Sequence, residues 1–134
     1  MQSSRVMLVE DDEAIGSLVK ATLEIDGFDV DVVADGTKAL PMLVAAPYAA
    51  VVVDLMLPGR DGYSIVRDIR ETPQTESLPI VILTAKADDA STWRGWQAGC
   101  DYYLTKPFDP DQLTSVVRRL VTERTVADPA RAHI

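Results

Sequence analysis

The chain has 134 residues, is 47% hydrophobic and 25% charged, and carries a formal net charge of −8. This length suits one globular domain, and the acidic balance argues against nucleic acid or an anionic membrane as a partner of this segment. We find neither a signal peptide nor an apolar stretch long enough to cross a membrane. The single cysteine, Cys100, excludes an intrachain disulfide, and we interpret it as a small buried side chain in a cytoplasmic protein.

Short apolar runs alternate with helical patterns along the chain. We predict, in chain order, a strand at 5–9, a helix at 12–26, a strand at 28–33, a helix at 36–46, a strand at 49–54, a helix at 62–71, a strand at 80–83, a helix at 88–98, a strand at 101–104 and a helix at 109–123. This alternation is typical of βαβ units, which build a parallel sheet with helices on both faces.

The hydrophobicity of the strands predicts their order in the sheet. The first, third and fourth strands are continuously apolar, as central strands buried on both faces must be. The second strand carries Asp29 and Asp31 on one side, which suits an edge, and the short fifth strand suits the other edge. We therefore predict an α/β fold, a doubly wound five-stranded parallel sheet of order 2-1-3-4-5, flavodoxin-like (βα)5. The domain is expected to cover 1–124, followed by a tail or the start of a linker at 125–134.

Residues typical of helix ends support these boundaries. Asp12 and Glu13 suit the N-terminus of the first helix, and Asp61 can cap the third. Gly27 and Gly99 follow the first and fourth helices, where a glycine commonly ends a helix.

Polar side chains stand at or just past the ends of four apolar runs. Glu10 and Asp11 follow the first strand, Asp54 the third and Thr84 the fourth, while Lys106 comes just after the fifth. In open α/β sheets, ligands bind outside the carboxyl ends of the strands, so these side chains are expected to converge. Clustered carboxylates favour a hard divalent cation, Mg²⁺ or Ca²⁺, and Mg²⁺ suits a site with few protein ligands. Such a metal, a lysine, a hydroxyl and an acceptor carboxylate predict phosphoryl transfer to Asp54.

Five motifs in this order resemble the receiver domains of bacterial two-component response regulators. The resemblance covers residues 5 to about 122 and rests on Leu8-Val9-Glu10-Asp11-Asp12-Glu13, Val53-Asp54-Leu55-Met56-Leu57-Pro58-Gly59, Asp61-Gly62, Leu83-Thr84-Ala85 and Asp101-Tyr102-Tyr103-Leu104-Thr105-Lys106-Pro107-Phe108. It implies a signalling domain that promotes its own aspartyl phosphorylation and dephosphorylation, with a phosphohistidine on a sensor kinase or phosphotransfer protein as the donor.

The resemblance also implies roles at the metal and phosphoryl sites. Asp54 is the phosphoacceptor and, with Asp11, a Mg²⁺ ligand, while Glu10 binds the metal directly or through water. The backbone carbonyl of Met56 completes the protein ligands. Lys106 contacts the phosphoryl oxygens, and its peptide bond to the following proline is expected to be cis.

A conformational switch is implied as well. Thr84 is expected to hydrogen-bond the phosphoryl group, with Tyr103 turning inward behind it. The change would alter the surface formed by the fourth helix, the fifth strand and the fifth helix, which controls an output domain or partner.

Trp93 and Trp96 lie on one side of the fourth helix, and their spacing leaves two interpretations open. They are core residues, or they form an exposed apolar patch that marks a phosphorylation-dependent contact such as a homodimer. Asp101 and Arg118 are further interface candidates. Three residues stand where related receivers usually carry charges: Thr92, Tyr102 and Val116.

Other functions fit the same fold less well. A haloacid-dehalogenase-type phosphatase needs a second aspartate at position 56, where Met56 stands. A flavin or nucleotide binder needs a Gly- or Ser/Thr-rich loop after the first strand, where four acidic residues stand instead. A receiver that acts only by protein contact is disfavoured because no site residue is missing. The output function, and whether an effector domain follows, stay open.

Overall fold

A computed structural model of the chain describes residues 4–57 and 60–131, with side chains up to residue 123. Its elements are β1 (Arg5–Val9), α1 (Glu13–Ile25), β2 (Asp29–Val33), α2 (Ala39–Ala45), β3 (Ala50–Val53), α3 (Gly62–Glu71), β4 (Ile80–Thr84), α4 (Asp89–Ala98), β5 (Tyr102–Thr105) and α5 (Pro110–Arg131). A 3₁₀ helix (Gly36–Lys38) precedes α2, so the predicted helix at 36–46 is divided into two elements.

The strands form one parallel sheet in the order β2-β1-β3-β4-β5. The predicted α/β class and the predicted strand order are therefore confirmed. The three central strands are buried except for Arg5, whereas β2 exposes Asp29 and Val32. Hydrophobicity determines the order because a central strand is covered by helices on both faces, while an edge strand tolerates charge.

Two apolar clusters lie on opposite faces of the sheet. Met7 and Val9 belong to the cluster covered by α2, α3 and part of α4, while Val6 and Leu8 belong to the one covered by α1 and α5. This division follows from the alternation of side chains along a strand. Burying each of these side chains contributes about 1.5–3 kcal/mol to folding. Cys100 is buried in the first cluster, so the prediction of a small buried cysteine is confirmed, and burial raises the pKa of its thiol to about 12.

The predicted helix ends are also observed. The side chain of Asp12 accepts a hydrogen bond from the Ile15 N–H at 3.1 Å, and Asp61 caps α3 in the same manner. Gly99 ends α4 in the left-handed conformation at φ 115°, which glycine adopts without a Cβ clash.

α5 is longer than predicted, because it continues to Arg131 rather than ending at 123. The predicted boundary rests on the loss of apolar periodicity, which does not by itself end a helix. The predicted domain boundary at 124 stays a prediction, and residues 132–134 of the expected tail lie outside the described residues. None of the helices described is both long enough and apolar enough to span a bilayer.

Candidate functional site

Backbone hydrogen bonds extend the sheet one residue beyond the strand ends and position the first polar side chains. The N–H groups of Glu10, Asp54 and Lys106 each donate to a carbonyl of a neighbouring strand, at 3.0, 3.0 and 2.8 Å. The sheet therefore places these side chains on one edge, as the sequence analysis predicted from the carboxyl ends of parallel strands.

Lys106 joins the two buried carboxylates of the site. Its Nζ lies 2.8 Å from Glu10 Oε1 and 3.1 Å from Asp54 Oδ2. Glu10 is only 2% exposed and Asp54 only 5% exposed. Buried charges are retained when they are paired and hydrogen-bonded, and one ammonium here serves two carboxylates.

This arrangement shifts the pKa of Glu10 and the pKa of Lys106. Burial raises the pKa of Glu10, and the neighbouring Asp54 raises it further against the lowering effect of Lys106. Burial alone lowers the pKa of Lys106, but its hydrogen bonds to both carboxylates raise it above the ordinary value. Lys106 is therefore a permanent cation in the site at neutral pH.

Backbone donors orient the remaining carboxylate oxygens. Asp54 Oδ1 accepts a hydrogen bond from the Met56 N–H at 3.0 Å, and Glu10 Oε2 accepts one from the Asp12 N–H at 3.3 Å. Both carboxylates are thus held in defined orientations. The Met56 carbonyl as a metal ligand stays a prediction.

Glu10, Asp11 and Asp54 form a cluster with the donor set of a divalent metal site. One carboxylate oxygen from each lies within 4.8 Å of the others, with Asp11 exposed and the other two buried. Three carboxylates face the single positive charge of Lys106, so the site has an excess of negative charge that a second cation can balance. Hard oxygen ligands of this kind fit Mg²⁺.

The predicted switch residues both contact the segment after β4. Thr84 is fully buried, and its Oγ1 accepts a hydrogen bond from the Lys86 N–H at 3.4 Å. The hydroxyl of Tyr103 donates to the Lys86 carbonyl at 2.7 Å. The peptide bond between Lys106 and Pro107 is cis, as the resemblance implied.

The structure decides between the two interpretations of the tryptophans. Trp93 is 64% exposed and Trp96 is 46% exposed, so the core interpretation is wrong and an apolar patch lies on the surface of α4. The helix instead buries Gly95, where an added Cβ would lie 2.7 Å from the Tyr103 ring. A small residue at this position lets α4 approach the sheet closely.

The other two interface candidates have intrachain partners. Asp101 Oδ2 accepts hydrogen bonds from Arg70 Nη2 at 2.8 Å and from the Ile80 N–H at 2.7 Å. Arg118 pairs with Asp26, at the end of α1. The two candidates therefore make their ion pairs with α3 and with the end of α1, and their role in an interface stays a prediction.

Tyr63 and Arg94 were not identified from the sequence. Tyr63 is 2% exposed, and its hydroxyl donates to the Ser91 carbonyl of α4 at 2.9 Å. The Arg94 guanidinium carbon lies 4.0 Å from the centre of the Tyr63 ring. An aromatic residue on the apolar face of α3 signals burial, but the partner of its hydroxyl depends on how α3 and α4 pack.

Two grooves border the open side of the site. One, of about 320 Å³, includes Glu10, Asp11 and Asp12 in its lining. The other, of about 470 Å³, is almost wholly apolar and runs between α1 and the loop after β5, with Lys106 in its wall. The carboxylates are thus approached past an acidic surface on one side and an apolar surface on the other.

The comparisons with known proteins agree with this geometry. The sequence profile described as the response regulator receiver domain matches residues 6–118. Over 126 residues the chain is 39% identical to the response regulator Rre1 of Synechocystis, covering 93% of this chain and 54% of that protein. It is 36% identical to the phosphate regulon transcriptional regulatory protein PhoB of Rhizobium meliloti, covering 87% of this chain and 52% of that protein.

Solved structures show the same relationship. The receiver domain of the sensor histidine kinase PA1611 from Pseudomonas aeruginosa, with magnesium coordinated in its active-site cleft, superposes with a TM-score of 0.83 at 34% identity, covering 90% of this chain and 98% of that one. The chemotaxis response regulator CheY4 of Vibrio cholerae superposes with a TM-score of 0.82 at 28% identity, covering 90% and 99%. The chain therefore belongs to the response regulator receiver domain family of two-component signalling. It spans about half the length of the curated relatives it matches.

Proposed function

We propose that this domain accepts a phosphoryl group on Asp54 from a phosphohistidine of a sensor kinase or histidine phosphotransfer protein. The observation that carries the proposal is the Lys106 ammonium, which bridges the buried Glu10 and Asp54 beside the exposed Asp11. A structural ion pair alone does not need a third carboxylate. Phosphoryl transfer needs an acceptor carboxylate, a fixed cation and a metal site together.

In the reaction, an Asp54 oxygen forms a bond to phosphorus while the bond between phosphorus and the donor imidazole nitrogen breaks. The electron pair of that bond returns to the imidazole. Lys106 neutralises charge on the oxygens of the transferring group, and the Met56 N–H holds the acceptor carboxylate in orientation. Attack of water on the aspartyl phosphate reverses the modification, so the same residues promote dephosphorylation.

Mg²⁺ is the cofactor that the donor set fits. Glu10, Asp11, Asp54 and the Met56 carbonyl would hold the ion, with Glu10 binding directly or through water. When bound, the ion supplies positive charge that stabilises the phosphoryl oxygens in the transition state. The magnesium in the cleft of the PA1611 receiver domain supports this assignment.

The phosphoryl group would act on the surface made by α4, β5 and α5. Thr84 would turn towards the phosphoryl group, and Tyr103 would turn inward behind Thr84. Both residues hydrogen-bond the segment that joins β4 to α4, so their movement would displace that segment. That surface would then control an output domain or a partner, or form a homodimer through Trp93 and Trp96. We infer a cytoplasmic location, with no membrane or direct nucleic-acid contact by this acidic segment.

The first prediction concerns the modification itself. Incubation with Mg²⁺ and acetyl phosphate should add about 80 Da to the intact mass of the wild type, because one phosphoryl group is attached. Asp54→Asn should show no increase. The control Asp68→Asn, which alters a carboxylate of α3 outside the site, should show the full increase. An unmodified wild type, or an equal increase in Asp54→Asn, contradicts the proposed function.

A further inference from the structure

Tyr63 links α3 to the beginning of α4. A buried tyrosine hydroxyl requires a hydrogen-bond partner, and here the partner is the Ser91 carbonyl at 2.9 Å, in the first turn of α4. Arg94 lies over the outer face of the ring, 4.0 Å from its centre, and its guanidinium is 3.9 Å from Asp61 at the start of α3. The ring is thus held on α3 while its hydroxyl reaches across to α4.

A second phenol holds the same stretch of chain from the sheet. Tyr103 of β5 donates to the Lys86 carbonyl at 2.7 Å, in the segment that leads from β4 into α4. The Lys86 N–H in turn donates to Thr84 Oγ1. The segment between Lys86 and Ser91 is therefore fixed at both of its ends by tyrosine hydroxyls from different elements.

The packing of α4 makes these hydrogen bonds important for its position. The helix buries Gly95, while its two largest apolar side chains, Trp93 and Trp96, are exposed. Its C-terminal end is held separately, because Arg70 Nε donates to the Gly99 carbonyl at 2.8 Å. The side chains of the N-terminal turn are exposed or half-buried, so the Tyr63 hydroxyl, together with the contacts of Arg94 to Tyr63 and Asp61, fixes its position.

We propose that Tyr63 is a positioning residue of the conformational switch, favouring the arrangement of α4 seen here over the one that follows phosphorylation. The inference rests on the proposed function, in which Thr84 turns towards the phosphoryl group. Movement of Thr84 displaces Lys86 and the segment after it, whereas Tyr63 stays on α3. The bond between Tyr63 and Ser91 is lost in that movement, so it opposes the switch.

Tyr63→Phe tests the proposal because it keeps the ring and removes only the hydroxyl. The probe is beryllofluoride with Mg²⁺, and both tryptophans of the chain lie on α4, so their fluorescence reports its displacement. Loss of one net hydrogen bond from the present arrangement should make beryllofluoride bind about two- to tenfold more tightly. A residue that only stabilised the fold would leave this affinity unchanged when removed.

Tyr48→Phe is the matched control. Tyr48 lies in the loop between α2 and β3 and is also buried. Its hydroxyl donates to Asp31 Oδ2 of β2 at 2.8 Å, so this hydrogen bond does not involve α4. The Tyr48→Phe variant should be less stable than the wild type, whereas its affinity for beryllofluoride should be unchanged. Unchanged or weaker binding in Tyr63→Phe, beside a normal wild-type response, overturns the role of Tyr63. If beryllofluoride with Mg²⁺ changes the tryptophan fluorescence of neither the wild type nor the two variants, the proposed function is overturned instead.

Discussion

Lys106 supplies the positive charge that compensates the buried carboxylates of Glu10 and Asp54. Its side chain is only 15% exposed and it faces two carboxylates that are almost fully enclosed. Removing one member of a buried ion pair is costly because the remaining charges are left without compensation. In the proposed reaction the same ammonium would contact the phosphoryl oxygens, so a single side chain would serve both stability and chemistry.

The second prediction follows from this balance. Without divalent metal, Lys106→Ala should lower the free energy of unfolding by about 2 kcal/mol, less than for a fully enclosed pair because Glu10 can take up a proton. Mg²⁺ should restore more stability to this variant than it adds to the wild type, since the metal then balances all three carboxylates. Urea unfolding with and without Mg²⁺ measures both effects.

Lys38→Ala provides the control for this experiment, because that lysine is exposed in the 3₁₀ helix and interacts with Asp35, which is not a residue of the site. Its response to Mg²⁺ should equal that of the wild type. An equal gain from Mg²⁺ in Lys106→Ala and in the wild type would show that Lys106 does not compete with a cation for the site.

At the scale of elements, α4 differs from the other helices in how it packs. Gly95 is in close contact with the sheet, where an added Cβ would meet the Tyr103 ring at 2.7 Å and Ile82 at 3.1 Å. Gly16 in α1 is also buried, but a Cβ there would lie 3.5 Å from Val32, an ordinary contact distance. Gly95 and Gly16 are therefore small for different reasons.

The third prediction compares these two positions. Gly95→Ala should lower the free energy of unfolding by about 1–2 kcal/mol, because overpacking outweighs the better helix propensity of alanine. Gly16→Ala should raise it by about 0.5–1 kcal/mol, since only the propensity term changes. Urea unfolding measures both free energies. If the two substitutions change the free energy of unfolding in the same direction, the interpretation of α4 is contradicted.

The ion pair between Arg118 and Asp26 connects α5 to the end of α1. The hydrogen bond from Arg118 is the main cause that lowers the pKa of Asp26 below its ordinary value of 3.8. A lowered folded-state pKa means that the stabilisation is present above pH 3.8 and is lost as the pH falls through the folded-state value.

The fourth prediction concerns how the stabilisation from this ion pair depends on pH. Arg118→Ala should be less stable than the wild type near neutral pH, and the difference should shrink as the pH falls below 3.8. Urea unfolding at a series of pH values measures the difference. A difference that stays constant down to pH 2 would mean that Arg118 acts through packing rather than through Asp26.

At the scale of the whole molecule, the two tryptophans of α4 are the largest apolar side chains that the described residues expose. Trp93 and Trp96 together form an exposed apolar patch on α4, the helix that follows the segment contacted by Tyr103. Exposed tryptophans are typical of interface anchors. The patch is therefore where we expect the phosphorylated domain to make its contact.

The fifth prediction is that beryllofluoride with Mg²⁺ promotes self-association through this patch. The double variant Trp93→Ala with Trp96→Ala should stay monomeric, as measured by sedimentation velocity, while it still binds beryllofluoride. Ile25→Ala is a control, because it removes another exposed apolar side chain, at the end of α1. If self-association is equal in the double variant and the wild type, the patch is not the interface.

Much of this architecture was predictable because it depends on local chemistry. Continuous apolar runs predicted the central strands, and charged residues predicted the edge strand β2. Once the strand ends are known, the convergence of Glu10, Asp54 and Lys106 follows from the geometry of a parallel sheet. The end of α5 was predicted wrongly, because loss of apolar periodicity does not by itself end a helix.

Tertiary packing alone decided the exposure of Trp93 and Trp96 and the partners of Tyr63, Asp101 and Arg118. The periodicity of α4 indicates a helix but not which side faces the sheet, since Gly95 and the tryptophans offer two competing faces. Hydrogen bonds and ion pairs between elements depend on distances set by the packing of whole helices. The residues of the proposed phosphoacceptor site are therefore apparent in the chain, whereas the contacts that would relay its signal exist only in the folded molecule.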